Sequence, residues 1–114
     1  MNATLERIRA HAGPDRRRRI EVPEWAPAED GAPLVITYSM VTLDDLAVVA
    51  ELDGDVWPKR AARIVALKAC DEAGERLFLI GDANVIRETA APEVVNRIAM
   101  QMLGRVNIEA AVKN

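Results

Sequence analysis

The residue types that most often carry chemistry in proteins are scarce in this chain of 114 residues. His11 is the single histidine and Cys70 the single cysteine, so a metal site built from several histidines cannot be assembled from this chain. His11 is predicted to lie on the surface at the end of a helix, and we do not expect it to belong to a Ser-His-Asp triad. The glycines are isolated, and neither a G-x-G-x-x-G run nor a phosphate-loop lysine occurs. No two carboxylates stand in an apolar setting that would separate an acid from a base. We therefore predict no catalytic residue, no metal and no cofactor, and we expect a protein that is not an enzyme.

Composition limits the class of protein further. Half of the residues (50%) are hydrophobic, which is enough for one ordinary core, and the formal net charge is only −3. Such a charge does not make nucleic acid or an anionic membrane the expected partner. Cys70 has apolar neighbours and is predicted to be a small buried side chain rather than a reactive thiol. Because there is neither a run of ~20 apolar residues nor a signal-peptide pattern, we expect a soluble cytoplasmic protein.

The stretch from Trp57 to Phe78 is the one on which the other elements are expected to pack. Pro58 suits the first turn of a helix, and apolar residues then recur at helical spacing. Gly74, in the sequence D-E-A-G, supplies the left-handed residue at which the chain reverses. Because Trp57 and Phe78 bracket this helix and its turn, we predict that both are anchors of the core.

The whole chain predicts a single α+β domain that is predominantly helical, with a small β-hairpin packed on a bundle of four to five short helices. Two runs that alternate apolar and polar residues, near 20–25 and 34–40, are expected to form the hairpin. Helices are expected near residues 2–11, 43–53, 58–70, 82–89 and 92–107. In chain order, the predicted parts are an N-terminal helix and basic connector (1–19), the hairpin (20–41), a helical core (42–108) and a tail (109–114).

The helix expected after Thr42 is apolar nearly all round. Thr42 stands three residues before Asp45, a spacing close to that of a capping box. Val48, Val49 and Leu52 cover the side of the helix opposite its predicted inward stripe. A helix of this kind is either deeply buried or covered by a partner. The predicted inward stripe consists of Leu43, Leu46, Ala47 and Ala50.

The first turns of the central helix contain three cations, Lys59, Arg60 and Arg63, although the helix dipole disfavours positive charge there. Either they pair with the preceding carboxylates Glu51, Asp53 or Asp55, or they form a basic patch for an acidic partner. In the last helix, Met100 projects close to a polar face on which Glu93 precedes Arg97 in the order that favours an ion pair. The candidate partner-binding residues are therefore Val48, Val49, Leu52, Lys59, Arg60, Arg63 and Met100.

A block of four arginines, Arg16 to Arg19, offers an alternative function. It is either a solvated connector or a contact for phosphate or an acidic partner. A helix-turn-helix can be drawn over residues 44–70, but its turn is acidic and its second helix lacks Asn and Gln for base edges. The alternative is thus a small regulatory or DNA-binding interaction domain, with nucleic acid as the less expected partner.

The order of short motifs carries a family resemblance over about residues 20 to 108. V-P-E-W occupies residues 22–25, an alanine-rich helix is expected over 61–70, and D-E-A-G-E-R-L-F occupies residues 71–78. In this order the chain resembles the tail assembly chaperone family of long-tailed bacteriophages and of phage-derived gene transfer agents. The long loop at 26–33 departs from the family pattern.

The resemblance implies a mostly helical, non-enzymatic protein made in the host cell cytoplasm and absent from the mature particle. Such chaperones bind the tape measure protein, keep it soluble and help tail tube protein to polymerise around it. A chaperone for a helical client needs exposed apolar surface bordered by charge, and the candidate residues above would supply it. Self-association is left open, and no membrane partner is expected.

Overall fold

A computed structural model describes residues 2–11, 17–26 and 32–104. Within these ranges the chain forms a two-stranded antiparallel hairpin and five α-helices, which confirms the predicted helix-dominated α+β class. The elements in chain order are α1 (Ala3–His11), β1 (Arg18–Val22), β2 (Leu34–Tyr38), α2 (Leu43–Asp53), α3 (Trp57–Lys68), α4 (Ala83–Thr89) and α5 (Pro92–Met102). Short 3-10 turns cover Pro23–Trp25 and Ile80–Asp82.

The hairpin buries one of its faces. Ile20 lies opposite Ile36 and Val22 opposite Leu34, and alternate side chains from both strands enter the core. β1 begins two residues earlier than predicted and ends at Val22, because Pro23 lacks the N–H of a strand residue and opens a 3-10 turn. The predicted pairing of the two runs is confirmed.

The chain that leaves α3 lies against the other edge of β2. Thr37 and Cys70 exchange two backbone hydrogen bonds, each of 2.8 Å. The Thr37 hydroxyl donates to the carbonyl oxygen of Asp71 at 2.7 Å and accepts from Arg17 at 3.2 Å. Cys70 is therefore held by its backbone at a sheet edge and is partly exposed rather than fully buried.

The acidic turn that follows is built as the sequence predicts. Gly74 has a φ of +87°, in the left-handed region that favours glycine. One Asp71 carboxylate oxygen accepts the amides of Ala73 and Glu75, both at 2.9 Å. The turn returns the chain to the core at Leu77 and Phe78.

α3 is the central element, since it packs with α2, α4 and α5. Its buried face is rich in alanine, which lets neighbouring helices approach closely. Trp57 and Phe78 pack against the core but stay partly exposed, so they border it and do not anchor its centre. The largest fully buried side chains are Val22, Ile36, Val65, Val94 and Ile98.

α5 joins the helices to the hairpin. The Tyr38 hydroxyl donates to the carbonyl oxygen of Gln101 at 3.2 Å. Arg97 makes two hydrogen bonds to the Glu24 carboxylate, of 2.7 and 2.8 Å, and these replace the pairing with Glu93 that the spacing predicted. α5 ends at Met102, and the last residues of the predicted helix, 105–107, lie outside the described residues.

Candidate functional site

The site is built on α2, whose start is fixed by a capping box. The Thr42 hydroxyl accepts the amide of Asp45 at 3.1 Å, and the Asp45 carboxylate accepts the amide of Thr42 at 2.9 Å. Both bonds satisfy amides that the first helical turn leaves without partners. The predicted cap at Thr42 is confirmed.

One valine and two ion pairs attach α2 to α3. Asp45, Val49 and Asp53 are spaced four residues apart, so they lie on one face of the helix. Val49 is 2% exposed and fills the contact between the helices. Asp45 pairs with Lys68 at 3.0 Å at one end of the contact, and Asp53 pairs with Arg63 at 2.9 Å at the other.

In this docking, α2 buries a different face from the one that was predicted. Leu43, at 86% exposure, and Leu46, at 41%, belong to the stripe predicted to face inward, and Ala47 and Ala50 beside them are exposed as well. The prediction was wrong because apolar residues surround the helix and do not mark a face. Ion pairs determine which face of α2 is buried, because Asp45 and Asp53 pair with cations on α3 and Asp44 does not.

The result is a surface of exposed apolar side chains, which we call the α2 outer surface. Val48 is 38% exposed and Leu52 is 53% exposed, as predicted, whereas the candidate Val49 belongs to the core. Met100 is partly buried on α5, which packs against α3 rather than along α2. The α2 outer surface comprises Leu43, Leu46, Val48, Leu52 and the following Val56.

Two of the three candidate cations are used inside the domain. Arg63 is buried, donates to both oxygens of Asp53 at 2.9 and 3.1 Å, and donates to the carbonyl oxygen of Ile80 at 2.7 Å. Arg60 pairs with Asp55 at 2.9 Å and also donates to the carbonyl oxygen of Gly54. Local pairing, rather than a basic patch, therefore describes Arg60 and Arg63.

Lys59 is the remaining candidate cation. It is exposed, and in the described part of the chain it has no ion pair. The structure thus does not bring Lys59, Arg60 and Arg63 together as a recognition cluster.

An acidic border runs along the α2 outer surface and divides it into two apolar sides. α2 contains no lysine or arginine. Asp44 and Glu51 are exposed, and neither has an ion pair within residues 2–11, 17–26 and 32–104. They are seven residues apart, which is about two helical turns, and so lie along one line of the helix. Sequence reasoning missed this border because it looked for charge among the cations of α3.

The Asp45 carboxylate is held in its ionised form. Partial burial opposes ionisation of Asp45, but hydrogen bonds from the Thr42 amide and from Lys68 outweigh it. The pKa of Asp45 therefore lies below its ordinary value. The ion pair between Asp45 and Lys68 is therefore present at neutral pH.

The basic run is also partly used within the domain. Arg17 donates to the Thr37 hydroxyl, and Arg19 lies 3.9 Å from the Glu72 carboxylate. Arg18 lines an open cavity of about 560 Å³ between the end of β2 and the end of α5. Arg16 lies outside the described residues. Apolar residues of this cavity include Leu46, so it meets the α2 outer surface at one side.

Residues 2–11, 17–26 and 32–104 contain no group of three or more acidic, histidine or cysteine side chains placed to hold a metal ion. Over the same ranges, every helix is too short or too polar to cross a bilayer.

Comparison with known proteins does not assign the chain to a family. The chain matches no protein-family model, and neither the curated proteins nor the solved structures contain a significant match.

Proposed function

We propose that this protein is a tail assembly chaperone that binds a tape measure protein, keeps it soluble and promotes assembly of tail tube protein around it. The observation that carries the proposal is the α2 outer surface, which keeps large apolar side chains in contact with solvent. Several large apolar side chains exposed on one helix often mark the binding site of a partner. The motif resemblance over residues 20 to 108 supplies the identity of that partner.

A helical client suits this surface. Val48 and Leu52 are exposed and lie four residues apart on α2, so a second helix can pack its own apolar stripe against them. Burial of these side chains would supply most of the affinity. A tape measure protein, as a very long helical chain, would offer many such stripes and would aggregate without a cover for them.

The test is co-expression with the tape measure protein of the same tail gene cluster. Val48→Asp combined with Leu52→Asp is expected to abolish solubilisation, because charge would be buried at the contact. Both side chains are exposed in the free protein, so the thermal midpoint should stay within a few degrees of the parent. The measurements are the soluble fraction of the client and the melting curve of the chaperone.

Two controls sharpen this test. Leu79→Asp with Val85→Asp changes exposed apolar residues outside α2 and should leave solubilisation intact. Val49→Asp should unfold the domain, because this valine is in the core. Solubilisation that survives the Val48 and Leu52 substitutions would contradict the proposal.

A further inference from the structure

The charges on and around α2 indicate what kind of helix fits its outer surface. A helix drawn at 100° per residue places Asp44 and Glu51 within about 20° of each other, with Leu43 and Ala47 on one side of this line and Val48 and Leu52 on the other. Both carboxylates are exposed, and neither has an ion pair among the described residues. A partner on the Val48 and Leu52 side of the line therefore meets two negative charges at its border, whereas on the other side Arg18 shares a cavity with Leu46.

We propose that the client segment is a basic amphipathic helix, with lysine or arginine bordering its apolar stripe about seven residues apart. This inference rests on the proposed function for the identity of the client and adds the charge of the segment that is bound. One of the two alternatives that the sequence left open was an acidic client, bound by Lys59, Arg60 and Arg63. The structure reverses this sign, because Asp55 and Asp53 already neutralise Arg60 and Arg63.

Charge also argues against a second copy of this chain as the occupant. If two α2 outer surfaces met, the Asp44 and Glu51 carboxylates of one copy would face those of the other. Like charges in a partly desolvated contact oppose association. A client with lysine or arginine at the same positions would instead form ion pairs, which contribute orientation and association rate more than affinity.

The experiment uses two synthetic peptides of about 18 residues, each ~27 Å long as a helix. They share one leucine stripe and differ only in having lysine or glutamate at two bordering positions seven residues apart. Binding to the full chain is measured by fluorescence anisotropy at low salt and at ~0.5 M salt. The lysine peptide should bind about three- to tenfold more tightly, as two exposed ion pairs allow, and high salt should remove the difference.

Substitutions on the protein test whether Asp44 and Glu51 cause the preference for the lysine peptide. Asp44→Lys with Glu51→Lys should reverse the preference, and Asp44→Asn with Glu51→Gln should abolish it without placing a cation at the start of α2. The matched control, Glu6→Lys with Glu88→Lys, makes the same change in net charge at exposed helical positions elsewhere and should leave the preference as in the parent.

Several results would overturn the inference. These are equal binding of both peptides, tighter binding of the glutamate peptide, no binding of either, or a parent dimer that Leu52→Asp dissociates. Tape measure protein is absent from the peptide assay. If one of these results is obtained while the protein still solubilises tape measure protein, only the charge inference is overturned. A clear preference for the lysine peptide without any solubilisation of tape measure protein overturns the proposed function alone.

Discussion

At the scale of single residues, the ion pair between Glu24 and Arg97 joins positions 73 apart in the sequence. Glu24 stands at the end of the hairpin and Arg97 on α5, so their two hydrogen bonds tie these elements together at the surface. The hydrogen bonds from Arg97 lower the pKa of Glu24 from 4.5 to about 2. The same contact raises the pKa of Arg97.

The lowered pKa of Glu24 fixes the sign of its effect on stability. Because the folded-state pKa is below the ordinary value, the ionised pair stabilises the native state above about pH 4.5, and this contribution is lost as pH falls towards 2. A carbon-13 NMR titration should give a midpoint near 2 for the Glu24 side chain. In Arg97→Gln the midpoint should return towards 4.5. An unchanged midpoint in that variant would show that Arg97 is not the cause.

At the scale of elements, α2 has the weakest apolar attachment of the four helices α2 to α5. It contributes one buried valine to the core, and two ion pairs with α3 hold its ends. Arg63 matters most among these contacts, since it also donates to Ile80 in the turn before α4. The position of α2, and with it the outer surface, depends on this arginine.

Removal of Arg63 should therefore be costly. Arg63→Met would leave the Asp53 carboxylate buried without its partner, and we expect a loss of about 3 kcal/mol in the free energy of unfolding. Urea denaturation measures this loss. Arg63→Met combined with Asp53→Leu should recover part of it, because no unpaired charge then remains buried.

Arg60→Met serves as the matched control for that experiment. Its pair with Asp55 is exposed, so the loss should be about 1 kcal/mol or less. Equal losses for Arg60→Met and Arg63→Met would contradict the view that Arg63 positions α2.

At the scale of the whole molecule, burial is uneven along the chain. α1 is nine residues long and has no buried residue, whereas α3 and α5 supply most of the helical part of the core. A helix of this length is marginal without packing. Stability should therefore vary strongly from one element to another.

Hydrogen exchange should reveal this variation. Amides of α1 should exchange nearly as fast as in an unfolded chain, because little stabilises that helix beyond its own hydrogen bonds. Amides of Val65 and Ile98 should exchange only through global unfolding, since both side chains are fully buried. The measurement is native-state exchange followed by NMR, and protection of α1 equal to that of α5 would contradict the expectation.

The sequence by itself determined the elements. Alternation of side chains predicted the two strands, Thr42 and Pro92 marked helix starts, and Gly74 marked the reversal of the chain, because these signals act through local backbone geometry. The exposure of Val48 and Leu52 was also predicted, because α2 has more apolar residues than one face of a helix can bury.

Only the tertiary structure decided which face of α2 is buried and which charges remain free. Val49 faces inward and Leu43 outward because Asp45 and Asp53 pair with Lys68 and Arg63 of α3, partners that lie 23 and 10 positions away. No local pattern in a helix that is apolar all round contains this information. Asp53 also removes Arg63 from the predicted basic cluster, and Asp55 removes Arg60, so these contacts decided which of the predicted cations remain free.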